Sequence, residues 1–102
     1  MSTQLQYYES ILLSPSELFF PFRLVILKSL YKRKEISFVE LQQRLETSSG
    51  NLVSHLRILE RDNLITFKKE FRNNKPHTTY SLTDKGIDEF IKLKERLSEF
   101  LK

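Results

Sequence analysis

The sequence contains no cysteine, which excludes a disulfide framework, a thiol nucleophile, a redox-sensing thiol and any thiolate metal site. It has two histidines, His55 and His77, 22 positions apart, so no local metal-ligand spacing exists. Glycine is equally scarce. Gly50 and Gly86 are the full set, too few for a loop that cradles phosphate. The longest apolar run, residues 18–22, is broken by Pro21 and falls far short of a membrane span. No basic stretch followed by an apolar one opens the chain, so export by a leader is not expected and the cytoplasm is the expected compartment. Nor is an enzyme expected, since two dispersed histidines supply no nucleophile and base set. Neither a metal nor a cofactor is called for.

Its 102 residues allow a single domain over 1–102. Apolar residues make up 39% and charged residues 29%, too apolar for disorder and modest for a core. A chain this short buries well under three-quarters of its unfolded surface, so a partner chain is expected. Lys and Arg number 17 against 13 acids, a net charge of +4. That excess is concentrated. Arg23, Lys28, Lys32, Arg33 and Lys34 stand against Glu35 alone, and Lys68, Lys69, Arg72 and Lys75 against Glu70 alone. The first 20 residues carry Glu9 and Glu17 with no base, and the last 22 are balanced.

Along the chain, Leu5, Tyr8, Ile11 and Leu12 share one face of an N-terminal helix, and residues 14–17 read as a helix start. A further helix begins at Pro21, with Leu24, Leu27, Leu30 and Tyr31 at helical spacing. A strand fragment follows at residues 36–38. Ser37 with Glu40 forms a capping box for a short helix to about Leu45, with Phe38, Leu41 and Leu45 inward. A polar turn over 47–50 caps a third helix that runs to Arg61 with Leu52, Leu56 and Leu59 as its buried stripe. Asn63 stands where a left-handed C-cap is needed. The period then changes. Residues 64–71 and 77–82 read as strands joined by a turn over 72–76, and Thr83 caps a last helix from Asp84 to about Leu101.

The fold class expected is mainly α with a small β-hairpin (α+β): a helix-turn-helix with a wing over 21–82, an N-terminal helical extension over 1–20, and a long C-terminal helix over 83–102. On a helical wheel the third helix turns Gly50, Ser54, Arg57 and Arg61 away from its leucine stripe, with Asn51 on the flank. Small and hydrogen-bonding residues at the start of such a helix suit entry into a major groove, and Ser49 to Asn51 sit at the positive end of its dipole. Gly50 fits two readings, relief of crowding in the turn or close approach to a partner. His55 lies beside the buried stripe and fits a half-buried core histidine better than a base reader, though it stays among the candidate contacts. Lys68, Lys69, Arg72, Lys75 and His77 gather on the hairpin, whose tip adds Asn73 and Asn74. Such a tip suits phosphates or a minor groove.

Several segments together carry a resemblance: PFRLVIL at 21–27, ISFVEL at 36–41, SGNLVSHLRILE at 49–60, NLI at 63–65, KKEF at 68–71, TTYSLT at 78–83 and DKG at 84–86. Over about four-fifths of its length the chain resembles the small winged-helix transcriptional regulators of the MarR/ArsR-like superfamily. The resemblance implies sequence-specific binding of double-stranded DNA by a dimer. The third helix, through Ser49, Gly50, Asn51, Ser54, His55 and Arg57, would lie in the major groove. The wing, through Lys68, Lys69, Arg72, Asn74, Lys75 and His77, would lie on phosphates or in the minor groove. Val53 stands where relatives commonly place serine, and Asn63 replaces a usual glycine. Arsenical-type metal sensing is out for want of cysteine. A small-molecule effector is compatible with the resemblance, although no polar cluster marks a pocket. Two other readings share part of the pattern: a winged helix used for protein contact, and sequence-independent packaging of DNA in a chromatin-type role.

In the last helix Phe90, Leu93, Leu97 and Phe100 follow a three-four spacing that suits a seam between helices. Together with the Leu5, Tyr8, Ile11 and Leu12 face they are the expected homodimer interface, the other reading being an N-terminal helix folded back on the last helix within one chain.

Overall fold

Why the chain bends where it does is largely a matter of caps. The computed structural model describes residues 21–102. Leu5, Tyr8, Ile11, Leu12 and the helix start expected at 14–17 lie outside the described residues. Helix α1 (Pro21–Arg33) ends with Lys32 and Arg33 in its last turn, where cations answer the helix dipole, and Lys34 leaves it with φ 67°. Strand β1 (Ile36–Ser37) leads straight into α2 (Phe38–Leu45), whose N-cap Ser37 accepts the Glu40 N–H at 3.1 Å. The Glu40 side chain does not close the expected box. It is an ion-pair partner of Arg33 and of Arg44.

Helix α3 (Ser49–Arg61) is capped by Ser48 and ends in a Schellman motif. Asn63, at φ 60°, donates its N–H to the Glu60 carbonyl, and Leu64 donates to that of Leu59, both at 2.9 Å. Strands β2 (Ile65–Arg72) and β3 (Lys75–Leu82) pair antiparallel from Ile65 opposite Leu82 to Arg72 opposite Lys75. β1 joins on the far side of β3 and gives the order β1-β3-β2. Thr83 caps α4 (Asp84–Phe100) by accepting the Gly86 N–H at 2.9 Å. Among the described residues four helices and a three-stranded sheet thus make the expected α+β winged helix.

Two expectations are corrected. The hairpin turn is two residues, not five. Asn73 and Asn74 both take positive φ, 52° and 61°, which gives a type I′ turn matched to the strand twist, and the strands run on through Arg72 and Lys75. In α1 the covered stripe is Arg23, Ile26, Leu27 and Leu30, while Leu24 is half-buried and Tyr31 is exposed. Apolar and basic residues are interleaved around this helix, so spacing alone does not choose its inner face. Its leucines meet Leu41, the α3 stripe Leu52, Leu56 and Leu59, and Ile65, Tyr80 and Phe90 in one core. Helix α3 is therefore held along its inner edge, with its other side turned outward.

Candidate nucleic-acid interface

The outward side of α3 starts at its cap. The Ser48 hydroxyl takes up the Asn51 N–H at 3.1 Å, which leaves the N–H groups of Ser49 and Gly50 at the positive end of the helix. A Cβ added at Gly50 meets nothing within 4 Å, so crowding in the turn does not account for the glycine. The Asn51 amide donates to the Thr47 hydroxyl at 2.8 Å, and the Ser54 hydroxyl donates to the Gly50 carbonyl at 3.1 Å. Each of these side chains is held in place and keeps an oxygen free to accept. Arg57 stands exposed one turn further on, and so does Arg61.

His55 points the other way. Its ring stacks on Phe22 with centroids 5.3 Å apart, and its Nδ1 accepts a hydrogen bond from Arg23 Nε at 3.1 Å. Arg23, a buried charge that periodicity gave no means of finding, thereby ties α1 to the back of α3. Burial, and then the Arg23 charge, lower the His55 pKa below its ordinary value. The folded chain therefore holds fewer protons here than the unfolded one. This contribution to stability is complete above the unfolded value of about 6.5 and is lost as pH falls through the folded value. Glu60, whose pKa burial raises, runs in the opposite sense at lower pH. The comparison that isolates the histidine is thus wild type against His55→Gln. Thermal melts from pH 7.5 to 5 should show the wild type losing more stability than the variant, and parallel curves would refute the coupling.

On the wing, register divides the basic residues between two faces. Ile65, Phe67, Lys69 and Phe71 alternate onto the face that meets the core, with Leu82, Tyr80, Thr78 and Pro76 opposite them. Lys68, Glu70 and Arg72 fall on the outer face, opposite Thr79, His77 and Lys75. There Lys68 lies 3.3 Å from Glu35 and 3.5 Å from Glu70, and Arg72 lies 3.6 Å from Glu70. Hydrogen bonding to Glu35 and the charge of both carboxylates raise the Lys68 pKa. Asn74 sits in the turn itself.

Between helix and wing stands Glu60. Its half-buried carboxyl is raised in pKa by burial, against the pull of Arg57 on α3 and Lys69 on β2. That one carboxyl thus feels a cation from the helix and a cation from the wing. Neither Glu60 nor the counter-charges Glu35 and Glu70 were singled out from sequence, because their roles depend on strand register.

The other candidates lie elsewhere. Phe90 and Leu93 are buried within the chain, Phe90 against the Tyr31 ring at 5.0 Å, so half of the expected seam already covers the body. Leu97 and Phe100 remain half-buried. Lys28 and Lys32 of α1 and Lys94 of α4 rim an apolar groove of about 270 Å³ floored by Leu24, Phe90, Leu93 and Leu97. Among the described residues no helix is long and apolar enough to cross a membrane, and no group of three His, Asp or Glu could hold a metal.

This fold has counterparts in known proteins. The chain is similar to the transcriptional regulator homologue protein from Pyrococcus horikoshii OT3, with 29% identity over 93% of this chain and 94% of that one and a TM-score of 0.85. It is 32% identical to HlyU from Vibrio cholerae N16961 over 95% and 97% of the two chains, with a TM-score of 0.65. NadR, solved in complex with 4-hydroxyphenylacetate, is 19% identical over 94% of this chain and 66% of its own, with a TM-score of 0.73, a likeness of fold alone. No curated protein matches in sequence. The winged helix DNA-binding domain family matches residues 22–101, and the chain belongs to it.

Proposed function

We propose that the chain is a sequence-specific, double-stranded DNA-binding transcriptional regulator that works as a homodimer. The observation that carries this reading is the outward side of α3, with open space at Gly50 and exposed Asn51, Ser54 and Arg57, in a chain that belongs to the winged helix DNA-binding domain family. In the complex the start of α3 enters the major groove, where Asn51, Ser54 and Arg57 reach base edges. Lys69, Arg72 and Lys75 follow the backbone. His55 acts from behind, holding α3 against α1 through Arg23. For the dimer, the support is electrostatic and apolar together. The lysine-rimmed groove between α1 and α4 is opposite in charge to the first 20 residues, which carry two acids, no base and four regularly spaced apolar side chains. Sedimentation showing a stable monomer at micromolar concentration would remove the dimer.

The decisive experiment for DNA is selection of bound duplexes from a random pool, followed by titration at several salt concentrations. A regulator enriches one motif and loses affinity steeply as salt rises. Binding without enrichment points to packaging, and absence of binding at low salt points to protein contact. Either result overturns the reading.

The two adjacent wing lysines should behave differently. Lys69→Ala is expected to weaken binding to every duplex by roughly three- to tenfold and to lower the salt slope by about one. Lys68 already answers two carboxylates, so Lys68→Ala should cost clearly less. Equal losses measured by fluorescence anisotropy would show that the outer face meets DNA as closely as the inner one.

A further inference from the structure

Phe71 is 78% exposed, more than any other large apolar residue among the described residues. It sits in the last pair but one of the wing, opposite Pro76. Antiparallel pairs alternate between those that exchange ladder hydrogen bonds and those that do not, and a two-residue turn closes on the bonded kind, here Arg72 with Lys75. The Phe71 and Pro76 pair is then the unbonded kind. The missing N–H of Pro76 faces the free edge of β3, since β1 reaches only Thr79 and Tyr80. The hairpin therefore tolerates proline there, and the ring opposite remains largely exposed. Phe67, two residues back on the same face, differs. Its ring lies 6.0 Å from that of Tyr80 and has Lys69 Nζ 5.9 Å from its centroid. Phe71 has no such ring contact among the described residues.

The tip that carries this ring extends about 13 Å beyond the last pair made with β1, four residues at roughly 3.3 Å each. Lys69 stands on the same face two residues back, while Arg72 and Lys75 close the tip from the outer face, where Glu70 lies between Lys68 and Arg72. A cationic arm ending in an exposed aromatic ring fits a polyanion with an apolar interior. That describes a DNA minor groove, whose walls are deoxyribose and whose floor is stacked bases. We infer that Phe71 is an apolar wedge that enters the minor groove beside the site read by α3 and favours flanks that unstack readily. Flexible pyrimidine–purine steps yield to such a wedge and stiff A-tracts resist it, so Phe71 sets flank preference without reading a base edge.

The inference rests on the regulator reading above, and the test separates the two. Two duplexes carry the same selected motif, one flanked under the wing by TA steps and one by an A-tract, each with a fluorescent donor and acceptor at its ends. Wild type should bind the TA-flanked duplex more tightly and shorten its end-to-end distance. Phe71→Thr, which keeps a strand-forming residue, should lose about tenfold on that duplex, along with the preference and the bend. Its salt slope should stay unchanged, whereas Arg72→Ala lowers the slope. Phe71→Leu should retain most of the preference. If wild type binds neither duplex, the regulator reading fails. If wild type binds and Phe71→Thr matches it on both flanks, or shifts the salt slope as Arg72→Ala does, the wedge is overturned. Should Phe71→Thr lose the hairpin by circular dichroism, the test passes to wild type and Phe71→Leu, and absence of flank preference in both overturns the inference. Loss of self-association in place of DNA affinity assigns Phe71 to a contact between copies and likewise overturns it.

Discussion

Gly86→Ala should lower the stability of the folded chain by about 3 kcal/mol, the upper range for forcing an extra methyl into a packed site. A Cβ built on Gly86 lies 2.0 Å from the Leu64 carbonyl oxygen and 2.9 Å from its carbon, both main-chain atoms that no rotamer change can move. The first turn of α4 must therefore back away from the junction between α3 and β2. That junction is closely bonded. The Leu64 carbonyl accepts the Thr83 N–H at 3.1 Å, the Asn63 carbonyl accepts the Thr83 hydroxyl at 2.6 Å, and Lys85 Nζ donates to the Asp62 carbonyl at 3.0 Å. Urea titration should show a large drop in midpoint, and thermal melting a fall of about 15 °C. Gly50→Ala is the control, because its methyl enters open space and a helical alanine is better than glycine by up to about 1 kcal/mol. A Gly86→Ala midpoint equal to wild type would mean that α4 is not seated on Leu64 as described. Because Leu64 precedes the wing and Asp62 follows α3, the same variant should also loosen the angle between helix and wing.

The parts of this architecture that sequence made legible are those governed by chemistry within four residues. Ser37 and Thr83 cap helices because a side-chain oxygen reaches an N–H three residues on, and Asn63 takes the left-handed conformation that ends α3. The Leu52, Leu56 and Leu59 stripe is plain because polar residues border it. What sequence left open depends on tertiary distance or on register. Arg23 and His55 are 32 positions apart, and nothing local announces their hydrogen bond. The inner face of α1 is set by what packs on it. On the wing, reading the turn as five residues hid the pairing, and a shift of one residue exchanges the faces of Lys68 and Lys69. Only the two-residue turn at Asn73 and Asn74 fixes which lysine lies on the inner face of the wing, and which aromatic ring is left uncovered at the tip. In the last helix a three-four spacing served the chain's own core at Phe90 and Leu93, a use that spacing alone does not distinguish from a seam between chains.

Arg57→Ala should remove discrimination between the selected DNA motif and its variants by about 1–3 kcal/mol, the usual worth of a paired contact to one base, or about tenfold to over a hundredfold in relative affinity. The argument is positional. Arg57 lies on the outward side of α3, one turn beyond Ser54 and two beyond Gly50, whose missing side chain lets the helix backbone come close to a groove wall. Asn51 and Ser54, nearer the helix start, are bonded to Thr47 and Gly50 and offer mainly acceptors. Arg57 supplies a fork of donors that can meet the paired acceptors of guanine in the major groove. Competition titrations with the selected duplex and single-base variants should show Arg57→Ala affecting a narrow set of base positions, with binding to unrelated DNA reduced only through the lost charge. Lys69→Ala, on the inner face of the wing, should reduce all duplexes alike. If Arg57→Ala instead weakens every duplex equally, Arg57 contacts phosphate, and base readout then falls to the start of α3, at Asn51 and Ser54, with Gly50 setting how closely those two approach the bases.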